Sequence, residues 1–480
     1  MVAQHLTIRN LTSTPITLKR IERFNPVDKQ HHDDDDDDDG GIHSLARNFT
    51  RALTDTTELS SAPVEALGND ARPFADKHVD LHVAPFKSVR TDLRTFIHSD
   101  EEHLRWTIAA DGERHQIQTS VPTKQSATMK ALSKHPRFRF TGIYVARESH
   151  LTVYSSANLH AWMRELNNDI LLSALSIPGT HNSPTCHVAA PSVRCQAVGP
   201  REQLENGVRF FDLRVQPQFP GDAARDELIL VHGAFPISLT GNKYLRDLMH
   251  EVDEFLDHNP SETLVVSIKR EGPGEHNDMQ LSRILRDHYA RPHSRWYTSP
   301  KIPTLGEARG KVVLVRRFDI QERLRHEHGN SGWGIDAGGW ADNCAHAMCP
   351  SGQICVQDFY EVMETQNVDK KVRFVTEHIG RAGTKRYPFG VLPGPNATKA
   401  HPFYINFLSA SNFWNVGTWP EKIAAKLNPA IVDHLCREHC KKDGDWSTGI
   451  LVTDWVGLDG DWDLVRAIVG MNAKLQMRHH

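Results

Sequence analysis

Up to about residue 150 the chain alternates apolar and polar positions with a period of two. The alternation is clear in His5-Leu-Thr-Ile-Arg, Ile16-Thr-Leu-Lys-Arg-Ile, Val79-Asp-Leu-His-Val and Leu104-Arg-Trp-Thr-Ile. It continues through Gln116-Ile-Gln-Thr-Ser-Val, Phe138-Arg-Phe-Thr-Gly-Ile-Tyr-Val and Leu151-Thr-Val-Tyr. Period two places alternate side chains on opposite faces of a strand, so residues 1–155 are expected to form an all-β sandwich domain. Past Ser156 the pattern changes. Residues 157–166 are expected to form an amphipathic helix, and short aliphatic runs then alternate with helical periodicity to the C-terminus. The runs are 171–177, 208–214, 228–232, 264–269, 311–317, 354–358, 403–408 and 449–454, with helices expected near 244–256 and 279–289. Continuous apolar runs suit parallel strands buried on both faces, so residues 156–480 are expected to form an α/β domain, a (β/α)8 TIM-type barrel, distorted or regular.

In such a barrel the reacting groups stand at the C-terminal ends of the strands. Those ends read His181, Arg214, His232, Lys269, Arg317, Asp358, Asn406 and Asp454. Seven of these eight are histidine, aspartate or a cation, which solvation alone explains poorly. Two histidines can share the work of general base and general acid near neutral pH. Asp454 is suited to hold one imidazole in a single tautomer. Arg214 offers a donor fork for a phosphate, Lys269 and Arg317 add positive potential, and Asp358 can accept from hydroxyls. A phosphodiester carrying a polyol fits this mixture.

Composition narrows the picture. A formal net charge of −4 gives no electrostatic case for nucleic acid. No apolar run is long enough to suggest a transmembrane helix, and the N-terminus carries no secretory pattern, so the compartment, cytoplasmic or secreted, is left open. The seven cysteines include no CxxC pair and suggest no zinc site. The run Asp33–Asp39 reads as a solvated, disordered acidic loop; a calcium loop is the second reading, weakened by the lack of spaced ligands and a turn glycine.

The ordered motifs Leu175-Ser-Ile-Pro-Gly-Thr-His181-Asn-Ser, Arg209-Phe-Phe-Asp-Leu-Arg214, Leu230-Val-His232-Gly, Asn259-Pro-Ser-Glu-Thr-Leu-Val-Val-Ser-Ile-Lys269 and Ala308-Arg-Gly-Lys-Val-Val-Leu-Val-Arg-Arg317 resemble the X domain of phosphatidylinositol-specific phospholipase C, in its bacterial, metal-independent form. The resemblance covers about residues 165–475. It implies cleavage of phosphatidylinositol to diacylglycerol and inositol 1,2-cyclic phosphate. His181 then corresponds to the general base, Asp454 to the carboxylate that orients it, Arg214 to the phosphate-binding arginine and His232 to the general acid. Lys269, Arg317, Asp358 and Tyr360 correspond to inositol contacts.

One position departs from the bacterial pattern. Asn182 stands where an aspartate would pair with the arginine, so Arg214 is expected to lack a charge partner and His232 to have a lowered pKa. Asparagine here also matches eukaryotic members, where it helps hold calcium; Arg214 and Lys269 in the would-be cage imply that no metal or other cofactor is used. The expected partner is a membrane-borne phosphatidylinositol or glycan-anchored lipid, met by peripheral contact. The loops Gly332–Trp340 and Asn412–Trp419 carry four tryptophans, and Trp414 is the expected membrane-rim residue. The competing readings are a glycerophosphodiester phosphodiesterase, which needs a carboxylate metal cage, and a non-catalytic lipid-binding X domain, which would have lost part of the His181–Arg214–His232–Asp454 set.

Overall fold

The computed structural model describes residues 4–25, 67, 71–95, 103–120, 126–156, 158–291, 294–362, 366–388, 401–412, 414–440 and 443–476. The aspartate run 33–39 lies outside them.

The alternating N-terminal segments form strands β1 (Gln4–Leu11), β2 (Ile16–Phe24), β3 (Ala75–Val83), β4 (Ser88–Thr95), β5 (His103–Ala110), β6 (Glu113–Ser120), β7 (Ser126–Thr128), β8 (Lys130–Ala131), β9 (Phe140–Val145) and β10 (His150–Ser155). They make two five-stranded sheets, ordered β4-β1-β10-β9-β7 and β3-β2-β5-β6-β8. One buried cluster draws on both: Leu6, Ile8, Tyr144, Leu151 and Val153 from the first, Ile16, Leu18, Leu104, Trp106 and Ile108 from the second. Each of the seven alternating stretches falls wholly or mostly on a strand among the described residues, because each needs one face in this cluster.

The remaining strands are β11 (Ile177–Thr180), β12 (Phe210–Pro217), β13 (Leu228–His232), β14 (Phe235–Pro236), β15 (Leu264–Arg270), β16 (Trp296–Tyr297), β17 (Val312–Arg317), β18 (Ile335–Asp336), β19 (Ala347–Met348), β20 (Ile354–Gln357), β21 (Phe403–Phe407) and β22 (Ile450–Thr453). Seven of them run parallel in the order β17-β15-β12-β11-β22-β21-β20. Four expectations need correction. The run 228–232 is not a barrel stave: β13 lies antiparallel to β12 and turns into β14 as a hairpin. The sheet is curled but open; among the described residues no ladder joins β16, β17 or β18 to β19 or β20. Finally, Leu172–Ala174 is a 3-10 turn, and the strand proper runs through Pro178 and Gly179 rather than stopping before them. Gly179 is needed there because a Cβ would lie 2.9 Å from the Phe210 ring. The segment expected as a helix over 157–166 is also 3-10, at Leu159–Glu165, with a break at Ala161.

Helices at Leu245–His258, Gln366–Gly383 and Pro420–Arg437 present apolar faces to the sheet. Below β12, Arg209 and Glu262 form a fully buried ion pair at 2.9 Å. The guanidinium also donates to the carbonyls of Leu204, Val208, Leu159 and His160 and covers the Phe255 ring. The N-terminal sheets are tied to the rest of the chain as well. Arg9 donates to the carbonyls of Cys436 and His439, Thr152 donates to Cys436, and Leu11, Ile143, Val145 and Tyr154 share a cluster with the helices at 420–437 and 463–470. No helix among the described residues is long and apolar enough to cross a membrane.

Candidate active site

His181 follows β11 directly. Its Nδ1 lies 2.9 Å from Oδ1 of Asp454, the residue after β22. Its Nε2 lies 3.0 Å from Arg214 Nη2 near the end of β12. A guanidinium can only donate, so Nε2 is the acceptor and Nδ1 carries the proton given to Asp454. Both sides of the ring therefore enforce one tautomer, with the basic nitrogen turned toward Arg214. Burial raises the Asp454 carboxyl above its usual range, an effect His181 partly offsets.

His232 ends β13, and its ring centroid is 5.6 Å from that of His181 with the planes nearly perpendicular. Its Nδ1 lies 2.8 Å from the Val193 carbonyl and donates to it, which leaves Nε2 to exchange a proton. Burial, then Arg214, then His181 hold His232 well below its usual pKa. Burial is the largest of these causes, and Asn182 is not among them.

Arg214 does not lack a charge partner, contrary to the reading from Asn182. It pairs with Asp212 Oδ2 at 3.2 Å and with Glu271 Oε1 at 3.2 Å. Glu271 also accepts from Lys269 Nζ at 2.7 Å and from the Gly233 backbone at 2.8 Å. Burial opposes its charge, yet Arg214 and Lys269 keep its carboxyl well below the usual range. Asp212, wholly buried, is held ionised against burial by Arg214 and Arg317. Glu271 was missed in the sequence because it stands one residue past the strand; its i, i+2 spacing from Lys269 was the available signal. The Asn182 backbone, at φ 43°, donates to Asp212 at 3.3 Å, while its amide side chain is buried and makes no hydrogen bond.

Trp340 joins this cluster through Phe407, which meets the His181 ring edge-on. The Trp340 ring lies 3.9 Å from the Arg317 guanidinium carbon, its Nε1 donates to Asp358 at 3.0 Å, and it meets Phe407 edge-on. Arg317 reaches Asp212 at 3.5 Å. The Tyr360 hydroxyl donates to Asp342 at 2.8 Å. Asn406 faces away from the pocket, accepting from Gln357 at 2.7 Å and donating to the helix at 366–383. Of the four loop tryptophans, Trp333 is buried, Trp340 lines the pocket and Trp419 is half-buried. Trp414 alone among them is open to solvent, 88% exposed.

Residues 169–318 match the family described as phosphatidylinositol-specific phospholipase C, X domain. The chain carries an X domain of that family. It is 28% identical over 347 residues to the 1-phosphatidylinositol phosphodiesterase of Staphylococcus aureus, spanning 68% of this chain and 97% of that protein. The enzyme of the same name from Listeria monocytogenes is 33% identical over 183 residues, covering 36% of this chain and 53% of that one. A solved structure of the Staphylococcus aureus phospholipase C, from work on modulating its membrane binding, superposes with a TM-score of 0.52 at 26% identity, covering 65% of this chain and 97% of the other. His181, Arg214, His232, Lys269 and Arg317 all lie within the matched X domain; Asp358, Tyr360 and Asp454 come from beyond residue 318.

Proposed function

We propose that this chain is a phosphatidylinositol-specific phospholipase C acting by in-line attack of the inositol 2-hydroxyl on phosphorus. His181 Nε2 takes the hydroxyl proton, and Asp454 stabilises the imidazolium that forms. Arg214 binds the phosphate oxygens and offsets the charge that builds on them. His232 gives a proton to the departing diacylglycerol oxygen, and the second product is inositol 1,2-cyclic phosphate. The bound phosphodiester is an anion beside His232; it offsets Arg214 and raises the proton affinity that burial lowers, so substrate binding itself arms the acid. The observation that carries this reading is the pair of imidazoles 5.6 Å apart with Arg214 on His181.

No metal is assigned to the reaction. The carboxylates a divalent ion would need, Asp212 and Glu271, are both engaged by Arg214, whose guanidinium lies between them. Lys269, Arg317, Asp358 and Tyr360 are proposed to grip the inositol ring, Asn182 to support the His181 turn, and Trp414 to enter the headgroup layer. The substrate is phosphatidylinositol or a glycan-anchored form. We read residues 1–155 as a sandwich domain serving membrane targeting or an accessory role, and 156–480 as the catalytic domain. Phosphorus NMR on phosphatidylinositol micelles in excess chelator tests the chemistry. A cyclic phosphate signal is expected; activity lost in chelator and restored by calcium would overturn the metal-free mechanism.

A further inference from the structure

Among the described residues, two groups of histidine and cysteine bring three ligand atoms within 4.8 Å of one another. The first, His181, Cys195 and His232, belongs to the pocket. Three of its four ring nitrogens are already taken: both of His181 by Asp454 and Arg214, and His232 Nδ1 by Val193. A cation there would have to displace a guanidinium. The second, His346, Cys355 and His378, is different in kind.

Its three members come from separate segments. Cys355 is on β20, on the same strand face as Gln357, which contacts Lys371 of the helix Gln366–Gly383. His378 is on that helix and is fully buried. His346 just precedes β19 and is exposed. Neither ring nitrogen of His378 makes a hydrogen bond, although the Cys355 backbone is near enough to favour its charged form. A buried imidazole left so is destabilising and calls for a partner. The spacing supplies one. Cys355 Sγ lies 3.5 Å from His346 Nδ1. Zinc bonds of about 2.3 Å to sulfur and about 2.0 Å to nitrogen, at a tetrahedral angle, put the two ligand atoms about 3.5 Å apart. The rings of His346 and His378 are 5.6 Å apart, edge to face.

We propose that His346, Cys355 and His378 form a zinc site, with three protein ligands and a fourth position open to solvent beside His346. One thiolate and two imidazoles favour zinc over calcium or magnesium, which prefer oxygen. As the sulfur–zinc bond forms, the Cys355 thiol proton leaves to solvent, and both imidazoles bind neutral. Arg381 bears on all three groups and pairs with Glu377 at 3.5 Å; its charge favours the thiolate while opposing the added cation. The site joins the helix at 366–383 to β19 and β20, which border the unpaired edge of the sheet. It therefore serves structure and stands apart from the phosphodiester chemistry.

Cobalt(II) is the probe, added to the full chain after chelator treatment. One equivalent should bind with a sulfur-to-cobalt charge-transfer band and intense tetrahedral visible bands, and zinc should displace it. The bands should vanish in Cys355→Ser and His378→Gln and persist in Cys195→Ser. His346→Ala, on the surface, tests the site without disturbing the interior and should weaken binding at least tenfold. Zinc should raise the thermal midpoint of the wild type and leave that of His346→Ala unchanged. The proposal falls if no charge-transfer band forms, if it survives in both His346→Ala and Cys355→Ser, or if Cys195→Ser alone removes it.

Discussion

Replacing Asp454 by asparagine isolates a single charge. Oδ1 accepts from His181 at 2.9 Å, and Oδ2 is buried without a hydrogen-bond partner. An asparagine can place its carbonyl on the imidazole and its amide nitrogen where Oδ2 stood, so the tautomer survives and the negative charge does not. At a separation of about 4 Å and an effective dielectric of about 20, that charge stabilises an imidazolium by about 4 kcal/mol. With the proton half transferred in the transition state, about 2 kcal/mol is a floor. The expected loss in kcat is therefore about 30- to 1000-fold. The assay is initial-rate release of water-soluble inositol phosphate from mixed micelles at saturating substrate, with the thermal midpoint measured alongside. KM should change little, because Asp454 lies behind the base, away from the substrate. A loss below about fivefold in a folded variant would refute the assignment of His181 as the base that becomes charged.

Other predictions separate the remaining roles. His232→Ala should abolish most activity on phosphatidylinositol but spare much of it on a nitrophenyl inositol phosphate, whose leaving group departs without a proton, whereas His181→Ala should lose both; equal losses on both substrates for His232→Ala would remove it as the acid. Trp414→Ala should weaken binding to anionic vesicles about tenfold, as expected for withdrawing one indole from an interface, with turnover of a soluble headgroup substrate unchanged. His150 is nine-tenths hidden from solvent and burial, then Arg9 and Arg437, bring it down to about 4, against a smaller opposing pull from Asp433. The unfolded chain then binds the proton more tightly, so stability is intact above about pH 6.5 and falls as pH drops toward 4, by about 3 kcal/mol. Denaturant unfolding of wild type and His150→Gln at both ends of that range should show the smaller acid loss in the variant; identical losses would contradict it.

The clustering of His181, Arg214, His232 and Asp454 was legible because each stands at or near the end of an apolar run, and a strand end is a place the sequence marks. Lys269 and Arg317 were legible for the same reason. Glu271 was not, since it stands just past its strand; Asp212 could be named as a nearby acid, but its pairing with Arg214 could not be read from the sequence. Their partnership with Arg214 reverses the inference drawn from Asn182, since the balancing charge arrives from two residues earlier on the same strand and from just past the neighbouring one. His232 could be expected beside His181 while its strand was misplaced, because an antiparallel hairpin packed on β12 and a parallel stave have the same apolar pattern over five residues. Tryptophan in a glycine-rich loop said nothing about direction; Trp333 went inward, Trp340 turned to Asp358, and only Trp414 faces out. His346, Cys355 and His378 share no local spacing at all, so their proximity is purely a product of folding.

The buried pairing of Arg209 with Glu262 bears on how sequences of this kind can drift. Losing either member alone would strand a full charge in a dry interior, at a cost of about 3–5 kcal/mol, whereas exchanging both together for apolar residues of matching bulk could be nearly free. The two positions are therefore thermodynamically locked to each other across fifty residues. A stretch of sequence can stay fixed for that reason while contributing nothing to the cleavage of a phosphate ester.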